Sequence, residues 1–93
     1  MYFIIAYDIR DNSLRALISR ILQDEGGRRI QYSVFVIEGS SIRISNLISR
    51  LRRLMEGNGT LLVIPLCKKD YRRRITLIEG NYNPFRDRTK RII

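Results

Sequence analysis

The stretch 2-YFIIAYD-8 carries six successive aromatic or aliphatic residues and closes on a carboxylate. A run that offers apolar side chains to both faces of a strand is satisfied only in the middle of a sheet with cover on two sides. It therefore reads as a central strand with Asp8 at its C-terminal end. No basic segment precedes the run, and no stretch of the chain approaches the ~18 apolar residues that a membrane span requires. A targeting signal and a membrane partner are therefore not expected.

Beyond Asp8 the apolar period changes. Asp11, Asn12 and Ser13 offer N-cap oxygens, with Asp11 favoured. Leu14, Leu17, Ile18, Ile21 and Leu22 then recur at helical spacing until Gly26 and Gly27 end the helix. The segment 28-RRIQYSVFVIE-38 is strand-like throughout, but eleven residues would extend ~36 Å, longer than strands in small domains usually run. A break near Tyr32 and Ser33 is expected, giving two strands. A second helix comes next through Ile44, Leu47, Ile48, Leu51, Leu54 and Met55, stopped by 57-GNG-59. Thr60 to Leu66 reads as a strand whose Pro65 marks its end or an edge position.

Strand, helix, two strands, helix, strand is the split βαβ order of an α+β, ferredoxin-like βαββαβ domain. A single domain spanning residues 1–93 is expected, with its core within about residues 1–82. The segment 74-RITLIEG-80 reads as an additional C-terminal strand, and residues 83–93 as a basic tail.

The chemistry open to such a chain is narrow. There is no histidine, and Cys67 is the single cysteine, so zinc constellations and internal disulfides are excluded. A reducing, cytoplasmic setting fits, with Cys67 as a small buried hydrophobe. The net charge of +9 arises from 18 Lys plus Arg against 9 Asp plus Glu, and an excess of that size draws polyanions by counterion release. All but Lys68, Lys69 and Lys90 of these cations are arginines, whose planar fork suits phosphate. Nucleic acid is the expected partner.

Asp8 is the candidate reactive acid. It lies in no DxD, HExxH or Cys–His pattern, and one carboxylate is not a metal site; alternatively it caps the adjoining turn. Magnesium, however, is often held by one or two protein carboxylates plus substrate phosphates. Two copies of Asp8 across the twofold axis of a homodimer would supply such a pair, and the strand at 74–80 could join the subunits by adding to the partner's sheet edge. Arg43, Arg50 and Arg53 flank the apolar stripe of the second helix, and 68-KKDYRRR-74 with Arg86, Arg88, Lys90 and Arg91 forms a second cluster. Both groups suit phosphate backbones, although helix arginines are also ordinary solvated residues. Tyr7, Tyr32 and Phe35 could stack on bases, but for Tyr32 and Phe35 core packing is the expectation.

With 7-YDI-9 at the strand end, the block 28-RRIQYSVF-35, Gly39 before the second helix and 62-LVIPLC-67, the chain resembles the CRISPR-associated Cas-two family over nearly its whole length to about Tyr82. The tyrosine–aspartate pair alone is weakly specific; its fixed distance from the Arg-Ile-Gln-Tyr-Ser-Val-Phe block is strongly so. The resemblance implies a homodimeric, magnesium- or manganese-dependent endonuclease acting on RNA or double-stranded DNA. It also implies a part in CRISPR spacer acquisition and antiviral defence beside the Cas-one integrase. By the same resemblance Asp8 is the metal ligand and is catalytic together with Tyr7, while Arg15, Arg29 and Phe35 lie near the site as nucleic-acid contacts, with Arg43 and Arg50 read beside them. Where members commonly carry acidic residues, this chain has Val36 and Thr60.

Two rivals remain at this point. A non-catalytic basic scaffold that holds duplex DNA for the integrase would keep its affinity when Asp8 becomes asparagine. An acylphosphatase-like enzyme would match in size and fold, but 8-DIRDNSLR-15 lacks the glycine-rich phosphate loop it would need.

Overall fold

The computed structural model describes residues 1–78. Within them four strands and three helices follow in the order β1 Tyr2–Asp8, α1 Asn12–Asp24, β2 Arg28–Gln31, β3 Val34–Glu38, α2 Ser41–Met55, β4 Thr60–Leu66 and α3 Lys68–Arg72. The sheet order is β2-β3-β1-β4, with every neighbouring pair antiparallel. This is the arrangement of a ferredoxin-like fold, and β1 is central in it as its two-faced apolar run requires.

Each break in the chain has a local cause. The Asp11 carboxylate accepts from Leu14 N at 2.8 Å and starts α1; Ser40 Oγ accepts from Arg43 N at 3.1 Å and starts α2. Left-handed Glu56, with Gly57 after it, ends α2. The bend expected near Tyr32 and Ser33 is the β2–β3 turn, and Pro65 sits in β4 at the edge of the sheet, where its missing N–H breaks no ladder.

Both long helices cover one face of the sheet. Phe3, Ile5 and Tyr7 of β1, with Phe35 and Ile37 of β3, pack there against Ile18, Leu22, Ile44, Leu47 and Leu51. The other face holds Ile4 and Ala6 of β1 with Leu62 and Ile64 of β4, and it is only partly closed. Leu62 and Ile64 are exposed, while Val36 is buried. The difference is made by α3, which the sequence pattern did not reveal. Its Tyr71 stacks on Tyr2 at 4.1 Å between ring centroids and accepts from Arg28 Nη2 at 2.8 Å, so it spans the sheet over Val36.

Three expectations are corrected. Residues 74–78 join no strand of the sheet; Ile75 and Leu77 are exposed, and residues 79 and 80 of the expected strand lie outside the described residues, as does the 83–93 tail. Cys67 is exposed, not buried: it is the N-cap of α3, and its Sγ accepts from Asp70 N at 3.4 Å. Tyr32, in the β2–β3 turn, is 61% exposed and does not pack in the core. Among the described residues no helix is long and apolar enough to cross a membrane.

Candidate functional site

Strand alternation decides what the end of β1 can do. Tyr7 points into the core and is buried, whereas Asp8 is exposed and belongs to the open face with Ile4 and Ala6. Asp8 pairs with Thr60 across the ladder to β4. Among the described residues its carboxylate makes no hydrogen bond or ion pair. The capping role open to it is filled by Asp11 instead. Gly59 makes this corner possible, for at φ +106° an added Cβ would come within 2.7 Å of the Asp8 carbonyl oxygen.

Arg15, on the first turns of α1, arches back over the same corner. Its Nη1 donates to the Ile9 carbonyl at 2.9 Å and its Nη2 to Asn12 Oδ1. Arg10 is exposed. A carboxylate with no partner among the described residues therefore projects from the C-terminal end of β1.

Behind that end lies a polar knot that sequence reasoning missed. The Ser19 hydroxyl of α1, nearly buried, accepts from Arg29 Nη2 at 2.6 Å and from Gln23 Nε2 at 3.1 Å. Arg29 lies over the Phe35 ring at 5.3 Å, and that ring stacks on Tyr7 at 6.3 Å. Burial pushes the Tyr7 phenol above its ordinary value, opposed by the Ser19 hydroxyl and the Arg29 and Arg15 guanidiniums. Only a buried polar residue on the apolar stripe of α1, Ser19 one position after Ile18, could have signalled the knot.

Several expected site residues are thereby reassigned. Tyr7 is not beside Asp8 in space but on the opposite face, so it backs the site and does not reach a substrate at it. Phe35 is fully buried and cannot contact nucleic acid. Arg29 turns its guanidinium inward to Ser19 and Phe35, and its Nε is buried without a partner among the described residues. Arg43 and Arg50 lie at the other end of the sheet. Arg43 donates to the carbonyls of Glu38, at 2.8 Å, and Glu25. Both approach the Glu25 carboxylate, at 3.6 and 3.8 Å. They line a shallow groove with Ser40, Ile42 and Asn46, apart from Asp8.

The family model for CRISPR associated protein Cas2 matches residues 1–74 of the chain. The chain belongs to the Cas2 family. Among Cas2 relatives, a protein of Korarchaeum cryptofilum named CRISPR-associated endoribonuclease Cas2 is 35% identical over 80 residues, covering 85% of this chain and 86% of that one. A protein of Thermoproteus tenax named a CRISPR-associated endonuclease Cas1/endonuclease Cas2 fusion is 34% identical over 70 residues, which cover 74% of this chain and 26% of the fusion. The crystal structure of Streptococcus pyogenes Cas2 superposes with a TM-score of 0.72 at 23% identity, over 83% of this chain and 99% of that one. At that identity the superposition shows a shared fold, that of Cas2.

In this Cas2 chain the two positions where acids were expected have distinct settings. Thr60 lies opposite Asp8 and is exposed. Val36 is 2% exposed beneath Tyr71, where a carboxylate would be costly to desolvate.

Proposed function

We propose that this Cas2 chain is a CRISPR-associated endonuclease that hydrolyses phosphodiester bonds as a homodimer, with Asp8 from each subunit forming the reactive centre. The observation that carries the reading is the exposed, unpartnered Asp8 carboxylate on the same open face as the exposed Leu62 and Ile64. A second copy covering that apolar face about a twofold axis that runs along the strands would bring like ends of the two β1 strands toward each other. The relatives named endoribonucleases support RNA as substrate.

A divalent ion fits this arrangement only across two chains. Among the described residues no three His, Cys, Asp or Glu side chains come together, so a single chain supplies one carboxylate. Two Asp8 carboxylates match the one or two that magnesium or manganese commonly takes from protein beside substrate phosphates. Such an ion, when bound, supplies Lewis acidity to the phosphate and a lowered pKa to water.

The chain's own residues supply position and charge. Asp8 contributes a carboxylate that no donor among the described residues occupies. Arg15, fixed through Ile9 and Asn12, holds positive charge at the same end of the sheet, and a charge already oriented stabilises developing negative charge without reorganisation. Tyr7, Phe35, Arg29 and Ser19 hold the strand from behind.

The test is cleavage of labelled single-stranded RNA and of duplex DNA by the wild type and Asp8→Asn, each with magnesium and with EDTA. Cleavage is expected only from the wild type with magnesium. Equal cleavage by both proteins would overturn the assignment of Asp8. A second reading, a DNA-holding scaffold for a Cas1 partner in spacer acquisition, draws on the Cas1/Cas2 fusion relative and the net charge of +9. On that reading Asp8→Asn keeps duplex DNA and Cas1 binding.

A further inference from the structure

Among the described residues Tyr32 stacks on no other ring. Phe3, Tyr7, Phe35 and Tyr71 are buried and Tyr2 is stacked on Tyr71, but Tyr32 is 61% exposed at the tip of the β2–β3 hairpin. Turn chemistry does not ask for it either. A two-residue hairpin turn favours glycine, asparagine or aspartate at positive φ, and neither Tyr32 nor Ser33 has a positive φ. Among the described residues the Tyr32 hydroxyl makes no hydrogen bond.

Its place in the fold is specific. The Ser33 carbonyl accepts from Tyr7 N at 3.0 Å, so the hairpin tip is bonded to the residue that precedes Asp8. One end of the sheet thus gathers an exposed aromatic ring, a carboxylate with no partner among the described residues, the exposed Arg10 that follows β1 and the Arg15 guanidinium held at Ile9. Rings exposed beside basic groups are the platforms on which unpaired bases stack, at little cost in sequence preference. Bases in a duplex are already stacked on one another and offer no free face.

We propose that Tyr32 stacks on a nucleobase of single-stranded RNA next to the phosphate engaged at Asp8, and that it biases this chain toward unpaired substrate. The inference rests on the nuclease reading above and adds the residue that selects strand state.

The experiment measures equilibrium binding of a labelled single-stranded RNA, and of the same sequence as a duplex, at several salt concentrations. Asp8→Asn serves as parent so that the RNA stays intact, and Tyr32→Ala and Tyr32→Phe are added to it. Tyr32→Ala is expected to weaken single-strand binding about tenfold, to change duplex binding less than about twofold and to leave the salt dependence intact. Tyr32→Phe is expected to bind as the parent does. Unchanged single-strand binding by Tyr32→Ala would overturn the proposal, as would equal losses on both RNAs. A parent that still cleaves the RNA, or a wild type that neither binds nor cleaves it with magnesium, would instead overturn the nuclease reading beneath it. Coincident thermal melts of the three proteins show that the hairpin is intact.

Discussion

Tyr7 and Asp8 are neighbours in the chain whose side chains leave the sheet on opposite faces, one buried against Phe35 and the other exposed with no partner among the described residues. A one-residue slip of β1 would exchange them, placing a carboxylate in the core and a phenol on the surface. Register against β3 and β4 is therefore as much a part of the candidate site as the residues themselves.

Asp8→Asn is expected to abolish cleavage while shifting stability by no more than about 0.5 kcal/mol, the range of surface substitutions away from special features. Parallel cleavage assays and urea melts check this. A marked loss of stability would mean that the carboxylate serves the fold and not the reaction.

Tyr7 carries a pH dependence with a definite sign. Burial raises its folded pKa above the ordinary 10.0, so the folded state holds the phenolic proton more tightly than the unfolded state does. This stabilisation is complete below the unfolded value and is lost as pH rises through the raised folded one, at up to ~1.4 kcal/mol per pH unit. The difference in unfolding free energy between wild type and Tyr7→Phe should thus be constant near neutral pH and shift against the wild type above about pH 10. A difference that stays constant into the alkaline range would show that Tyr7 titrates as an exposed phenol.

Ser19→Ala removes the acceptor that holds Arg29 Nη2, in a place where Arg29 Nε is already without a partner among the described residues. A loss of ~1–3 kcal/mol is expected, the cost of leaving a buried donor unsatisfied. With Arg29→Met added, the double variant should lose less than the sum of the single ones, as urea unfolding of the four proteins would reveal.

Gly59→Ala places a Cβ 2.7 Å from the Asp8 carbonyl in a backbone at φ +106°. Stability should fall by at least ~1 kcal/mol, and the displaced strand end should reduce cleavage beyond what the lost stability explains. Normal turnover by the folded fraction would separate the turn from the site.

Glu25→Gln frees Arg43 and Arg50 from the carboxylate they share. These pairs are solvent-exposed, so little stability is at stake. Affinity for duplex DNA should rise at low salt, and the slope of log affinity against log salt should steepen by up to about one unit if phosphates take the place of Glu25. An unchanged slope would remove this groove from the nucleic-acid surface.

Much of this was legible because it is local. The Asp11 cap, the glycines at the helix ends and the helical spacing of Ile44, Leu47 and Leu51 each act within a few residues, and the sequence carries them openly. The Tyr-Asp strand end and the block at 28–35 pointed to the family for the same reason. Hidden were α3, which is only five residues long and is held by Tyr71 on the distant Tyr2, and the Ser19–Arg29 bond between α1 and β2.

By itself, then, the sequence determined the order of elements, the central place of β1, the ends of both long helices and the excess of positive charge, all of which derive from side-chain period, capping chemistry and composition. Only the tertiary structure decided what each candidate residue faces. It turned Tyr7, Phe35 and Arg29 inward, left Asp8 and Tyr32 in solvent, and sent Arg43 and Arg50 to the far end of the sheet. The reason is that a side chain's surroundings are set by strand register and by contacts between segments far apart in the chain, and no local pattern records these.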